Sequence, residues 1–156
     1  MNDKPDKEKI FKPHTYRVFA AWTGDRTWQI TSEGTSAIDG GSPVSSGGPP
    51  GRWPPGELLL ASINSCLLAS FVGYCLRKNF EFVSYESETE GLLENDGVTI
   101  RFTKMTIRPR VAVKNESDVE TARAYIQRAH KMCFMAHSVN ADIAIEPTVI
   151  AVEQEK

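Results

Sequence analysis

Residues 57–78 read ELLLASINSCLLASFVGYCLRK, and this stretch decides the fold. It is built from good helix formers with no internal proline, opens on Glu57 and closes on Arg77 and Lys78, charges that suit a helix dipole. Pro54-Pro55 marks its upstream boundary. Its apolar residues run nearly all the way round, the pattern of a buried central helix rather than a surface one. A buried helix of about six turns in so short a chain calls for neighbouring subunits to help cover it.

Upstream of the helix, Tyr16 to Trp22 has strand composition, Thr23-Gly24-Asp25 reads as a turn, and Arg26 to Thr31 returns as a second strand. From Gly34 to Pro55 the chain is crowded with Gly, Ser and Pro. Such a loop in a compact domain is either a floppy linker or a functional segment, here one that Ile38, Val44 and Trp53 would pin. No Gly-Lys-Ser/Thr follows its glycines, so it is not a nucleotide loop.

Downstream, Phe80 to Glu90 and Val98 to Val113 read as strands, joined by a turn drawn from Gly91 and Asn95-Asp96-Gly97. Val98, Ile100 and Phe102 alternate on one phase and Met105 and Ile107 on the other, which predicts a β-bulge near Thr103-Lys104. Ser117-x-x-Glu120 is a capping box opening a second helix, whose stripe runs Val119, Ala122, Ile126, Ala129, Cys133. Ala141 to Val152 reads as two short strands broken at Pro147. The order is that of an α+β domain with antiparallel sheets, spanning 13–156 behind a flexible charged tail over 1–12.

Composition narrows the function. The chain is 40% hydrophobic and 24% charged with a formal net charge of -2, so it is globular and offers no basic face for nucleic acid. MNDKPDKEK at the start has no apolar signal region, and no uninterrupted apolar stretch approaches the roughly 20 residues of a membrane span; the expected setting is the cytoplasm. Three cysteines in a reducing compartment are not a disulfide framework. Cys66 lies midway along the central helix and Cys133 near the end of the second, each in an apolar face, whereas Cys75 falls about 180° round the helix from Cys66. By spacing alone the pair is either inert packing or redox chemistry.

The local sequences bear on that choice. PPGELLLASINSC resembles the block around the first cysteine of the OsmC/organic hydroperoxide resistance family, AHKMCFMAHS the block around its second, and Thr23-Gly24-Asp25-Arg26 the turn carrying its arginine. The resemblance implies an intertwined homodimer, with antiparallel sheets wrapped around two long central helices and active sites at the subunit interface. It implies that Cys66 is a peroxidatic thiolate converted by an organic hydroperoxide to a sulfenic acid, and that Cys133 resolves it to a disulfide. Arg26 would hold the thiolate charge. The resemblance also implies no bound cofactor and an external dithiol of lipoyl type as the reductant. Where the family has a carboxylate ten residues before the first cysteine this chain has Gly56, leaving Glu57 as the acidic candidate, and Phe134 replaces the proline after the second cysteine. Trp53 and Phe134 are candidate walls of an apolar substrate pocket.

Two other readings compete with this one. His130, Cys133 and His137 share a helical face, but no fourth ligand is offered nearby, so helix-end histidines are favoured over a metal site. The alternative to the peroxidase is a non-catalytic dimer of the same fold that binds an apolar small molecule.

Overall fold

The computed structural model describes residues 12–152. The expected tail over 1–12 therefore lies outside the described residues apart from Lys12. The chain divides into two compact units, one ending at Pro55 and the other starting at Gly56.

The first unit is an antiparallel sheet of β1 (Phe19–Gly24), β2 (Thr27–Thr31) and β3 (Ile38–Gly41), in that order. The β1–β2 turn needs left-handed backbone at Gly24 (φ 120°) and Asp25 (φ 43°), residue types that tolerate it. The Thr27 hydroxyl donates to the Gly24 carbonyl at 2.7 Å, and the Trp22 indole to that of Asp25 at 2.9 Å. The Gly/Pro stretch is more ordered than a linker. It contributes β3, where Gly40 pairs with Trp28 and a Cβ would strike the indole at 2.0 Å. The rest folds back on the sheet through backbone bonds, Ser42 to Arg26 at 2.9 Å and Trp53 to Asp39 at 3.0 Å. Those bonds hold the loop; Ile38, Val44 and Trp53 do not pin it by burial, being 38%, 66% and 51% exposed.

The second unit opens with α1 (Pro55–Lys78). Asn79, at φ 51°, ends it, and the Phe80 amide reaches back to the Cys75 carbonyl at 3.0 Å. Beyond lie β4 (Ser84–Asn95), β5 (Ile100–Val113), α2 (Val119–Met132), α3 (Phe134–His137), β6 (Asp142–Ile145) and β7 (Thr148–Ala151). β4 and β5 form a long antiparallel ladder. Its register slips where Leu92 faces Lys104 and Leu93 faces Phe102, leaving Thr103 as the extra residue of the bulge. Gly91 belongs to β4 rather than to the turn; it pairs with Met105, and Leu60 and Phe102 close on it so tightly that a Cβ would come within 2.8 Å of Leu60. The antiparallel expectation holds for both main ladders, whereas β6 and β7 join the far edge of β5 in parallel. Pro109 falls where β6 gives way to β7, so its missing N–H costs no ladder bond on that edge.

The fold is α+β, with antiparallel sheets and helices. Ile63, Leu67 and Phe71 of α1 and Ala122, Ile126 and Ala129 of α2 are fully buried against Met105, Ile107, Val111 and Val113 of β5. The expected capping box does not form. Ser117 lies in a 3-10 turn over Glu116–Asp118, pinned by the Asn115 amide on the Asp118 carboxylate at 2.8 Å, and α2 begins only at Val119. As a whole helix α1 is long and apolar enough to cross a bilayer, a property that no uninterrupted apolar run reveals because Asn64 and serines punctuate it. Its fully buried Ile63, Leu67 and Phe71 make it the core helix of this unit.

Candidate functional site

Cys66 and Cys133 meet. Both are free thiols and both are buried, Cys66 9% exposed and Cys133 1%, in a cluster completed by Ala136 and flanked by Met135 and Ile143. The backbone explains the placement. Cys66 points from the middle of α1, and α2 stops at Met132 so that Cys133 takes an extended conformation between α2 and α3. Its sulfur packs in one cluster with that of Cys66, and its thiol lies 4.0 Å from the Ile63 carbonyl. Burial, reinforced by the Cys66 sulfur, pushes the Cys133 thiol up to about 11. Cys75 is buried in the main core instead, as its position round the helix requires, and burial pushes it to about 11 as well.

An open groove of about 610 Å³ reaches Cys66. Its floor is the small-residue face of α1, including Ser62, Ala69 and Gly73, and its wall is Met132, Phe134 and Met135. Phe134, the residue after the second cysteine, lies on the wall of the groove that reaches Cys66. Glu57 is not. α1 is regular from Pro55, so nine residues at about 100° each set Glu57 on the side of the helix away from Cys66, where it is exposed. Gly56 offers no carboxylate in its stead; a Cβ there would sit 3.4 Å from the Phe102 ring.

In the first unit, Arg26 is exposed within a groove of about 740 Å³ that it shares with Thr23, Thr27 and Gly47–Pro49. Its guanidinium forms no ion pair with the described carboxylates. Trp53 is exposed at the edge of that unit's sheet, where it bridges to Gly40. The roles of Arg26 and Trp53 rest on the sequence alone.

The break at Cys133 takes His130, Cys133 and His137 off a common helical face. The His137 ring nitrogen Nε2 lies 3.2 Å from the Lys131 carbonyl, the helix-end role expected of it. His130 is half-buried with Nδ1 unpartnered, and burial, then the charge of His137, lowers its pKa. No three His, Cys, Asp or Glu side chains among the described residues are grouped to hold a metal ion.

A polar seam behind the cysteines escaped the sequence reading. Asn64 donates to the Ser87 carbonyl at 3.2 Å and accepts from the Ser87 hydroxyl. The Tyr85 hydroxyl is buried with no hydrogen-bond partner at ordinary distance. Burial raises its pKa, a looser Ser87 contact opposes, and the Cys133 charge adds to the rise. The available signal was a lone Asn in an apolar helix and the period-two run Tyr85, Ser87, Thr89 on β4.

The two raised thiols set an alkaline limit on stability. In the unfolded chain both titrate near about 8.5. The fold favours their protonated forms, so their contribution is complete below that pH and is lost as pH rises toward about 11. The melting temperature of reduced protein is expected to fall across that window, and more gently in Cys75→Ala. An identical profile in the variant contradicts the burial assigned to Cys75.

A family model described as OsmC-like protein matches residues 48–148. A Bacillus subtilis relative, the uncharacterized protein YmaD, is 23% identical over 137 residues, covering 85% of this chain and 91% of its own length. The fold is also that of an OsmC-like protein of unknown function from Vibrio cholerae, with TM-score 0.79 and 20% identity over 86% of this chain and 99% of that one. The organic hydroperoxide resistance protein OhrB of Bacillus subtilis superposes with TM-score 0.62 at 20% identity, over 86% of this chain and 98% of its own.

Proposed function

This chain belongs to the OsmC-like protein family, and on that premise we propose that it is a thiol-dependent peroxidase for organic hydroperoxides. The observation that carries the reading is the contact of two free thiols at an apolar groove, one at its edge and the other sealed beneath.

Cys66, as thiolate, attacks the terminal oxygen of the hydroperoxide. The O–O bond breaks, the organic fragment takes up a proton and leaves as the alcohol, and Cys66 becomes a sulfenic acid. The Cys133 sulfur displaces that hydroxyl, forming the disulfide and releasing water. An external dithiol, of lipoyl type, then reduces the disulfide to two thiols and is itself oxidised to a cyclic disulfide. Arg26 is the proposed cation for the thiolate, and its unpaired guanidinium is in keeping with that role. The apolar wall favours an alkyl or fatty hydroperoxide over hydrogen peroxide.

The working form in this reading is a homodimer. In the described part of the first unit only Gly40, Gly41 and Gly48 are buried, while Phe19 and Trp22 are 70% and 75% exposed. A three-stranded sheet without a buried apolar face lacks independent stability. Leu76 on α1 is likewise 73% exposed. A second copy of the chain supplies the missing cover. Three free thiols fit the reducing cytoplasm.

The exposed Glu57, facing away from Cys66, favours the alternative of a non-catalytic dimer that binds an apolar small molecule. Peroxide consumption separates the two. With dihydrolipoamide as reductant, cumene hydroperoxide is expected to turn over many times per protein and faster than hydrogen peroxide. Thiols that survive excess cumene hydroperoxide in folded protein overturn the peroxidase and leave the binding dimer.

A further inference from the structure

The groove that takes in Cys66 runs along α1 from Ser62 as far as Arg77. Eleven residues separate Cys66 from Arg77, which at about 100° each returns the helix to within about 20° of the same face and sets the two Cα atoms about 16 Å apart. Ser70 and Gly73 lie on the same stripe between them, and their small size keeps the floor open. Met132 walls the far end, its sulfur 4.0 Å from the Arg77 guanidinium, which also stands 5.5 Å from the Tyr74 ring.

Among the described residues, no carboxylate pairs with Arg77. Arg101, Arg108 and Arg110 of β5, by contrast, all do pair with one. The helix dipole accounts for a positive charge at this end of α1, a need Lys78 also meets, but not for its place at the mouth of an apolar groove. The groove therefore holds a reactive sulfur and, eleven residues further along, a planar cation with no carboxylate partner among the described residues, with methionine and phenylalanine beside them.

We propose that Arg77 is a specificity-determining residue that anchors the carboxylate of a long-chain fatty acid hydroperoxide, so that the preferred substrate is the free acid rather than its ester. The assignment rests on the peroxidase reading and names the substrate within it. The span of about 16 Å matches an extended chain of roughly a dozen carbons, less the reach of the arginine, which leans back toward the helix N-terminus. A hydroperoxy group in mid-chain then meets Cys66 while the carboxylate takes the guanidinium in a two-pronged pair.

The test compares linoleic acid hydroperoxide, its methyl ester and cumene hydroperoxide as substrates of the full chain. In the wild type the acid is expected to show a KM about tenfold below that of the ester. Arg77→Gln removes that advantage by raising KM for the acid, with kcat and both neutral substrates unchanged, and Arg77→Lys restores part of it. Equal KM for acid and ester in the wild type overturns the assignment. So does a uniform loss on all substrates in Arg77→Gln with a changed elution volume, which makes Arg77 a residue of the contact between copies. Should the wild type consume no hydroperoxide, displacement of a fluorescent fatty acid by linoleate and by methyl linoleate gives a separate readout. A preference for linoleate lost in Arg77→Gln upholds the anchor while the peroxidase falls, and no preference sinks both.

Discussion

Replacing Cys66 with serine is expected to cut the reduction of organic hydroperoxides by about a thousandfold or more, to the background of the buffer. A serine hydroxyl is almost wholly protonated at neutral pH and lacks the polarisable sulfur that attacks a peroxide oxygen. Cys133→Ser differs in kind. It keeps the first step, so one equivalent of peroxide is consumed rapidly, and then a sulfenic acid persists on Cys66 where a dimedone probe traps it. Cys75→Ser leaves both steps intact, because Cys75 is buried in the main core away from the pair. Peroxide consumption and dimedone labelling of the three variants check these outcomes. Full turnover in Cys66→Ser, or its loss in Cys75→Ser alone, contradicts these roles.

The largest effect on stability is expected from Phe71→Ala. Phe71 is fully buried on α1, with its ring 5.2 Å from that of Phe82 and 5.4 Å from that of Tyr85. Truncating such a residue costs about 3–5 kcal/mol, through lost transfer energy and the cavity left between helix and sheet. For a chain of this size that is a fall of about 10 °C in Tm. Leu76→Ala is the informative companion. Leu76 is exposed in the protomer, so a small effect marks a face that stays open, and a large one marks a face covered by a second copy. An unchanged Tm in Phe71→Ala contradicts a core centred on this ring.

Local chemistry was enough where it pointed one way. The 57–78 helix follows from its run of helix formers after Pro54-Pro55, the bulge at Thr103 from a switch in side-chain alternation, the break at Pro147 from the proline itself, and the burial of Ala122, Ile126 and Ala129 from helical spacing. The reading failed where tertiary contacts overrode local chemistry. Gly91 looks like a turn residue but is a strand position where Leu60 and Phe102 leave no room for a side chain. Strand β3 was hidden because Gly40 makes room for Trp28 instead of advertising β propensity. Ser117 and Glu120 have the spacing of a cap, yet Asn115 and Asp118 form the turn first.

For the site, the pairing of Cys66 with Cys133 was legible because each lay in an apolar face. The placement of Glu57 depended on whether the first turn was regular, and the helix is regular from Pro55. Arg77 was read only as a complement to the helix dipole. Its position on the Cys66 stripe follows from the same angular arithmetic, but its lack of a carboxylate partner could be seen only in the folded chain.

The most direct test of the account is to add one equivalent of cumene hydroperoxide to fully reduced protein without other thiols, then to map disulfides by mass spectrometry after digestion under non-reducing conditions. One linked pair of peptides is expected, carrying Cys66 and Cys133, with Cys75 still a free thiol. A protein that leaves the peroxide unconsumed with all three thiols free, or that links Cys75 in preference, contradicts it.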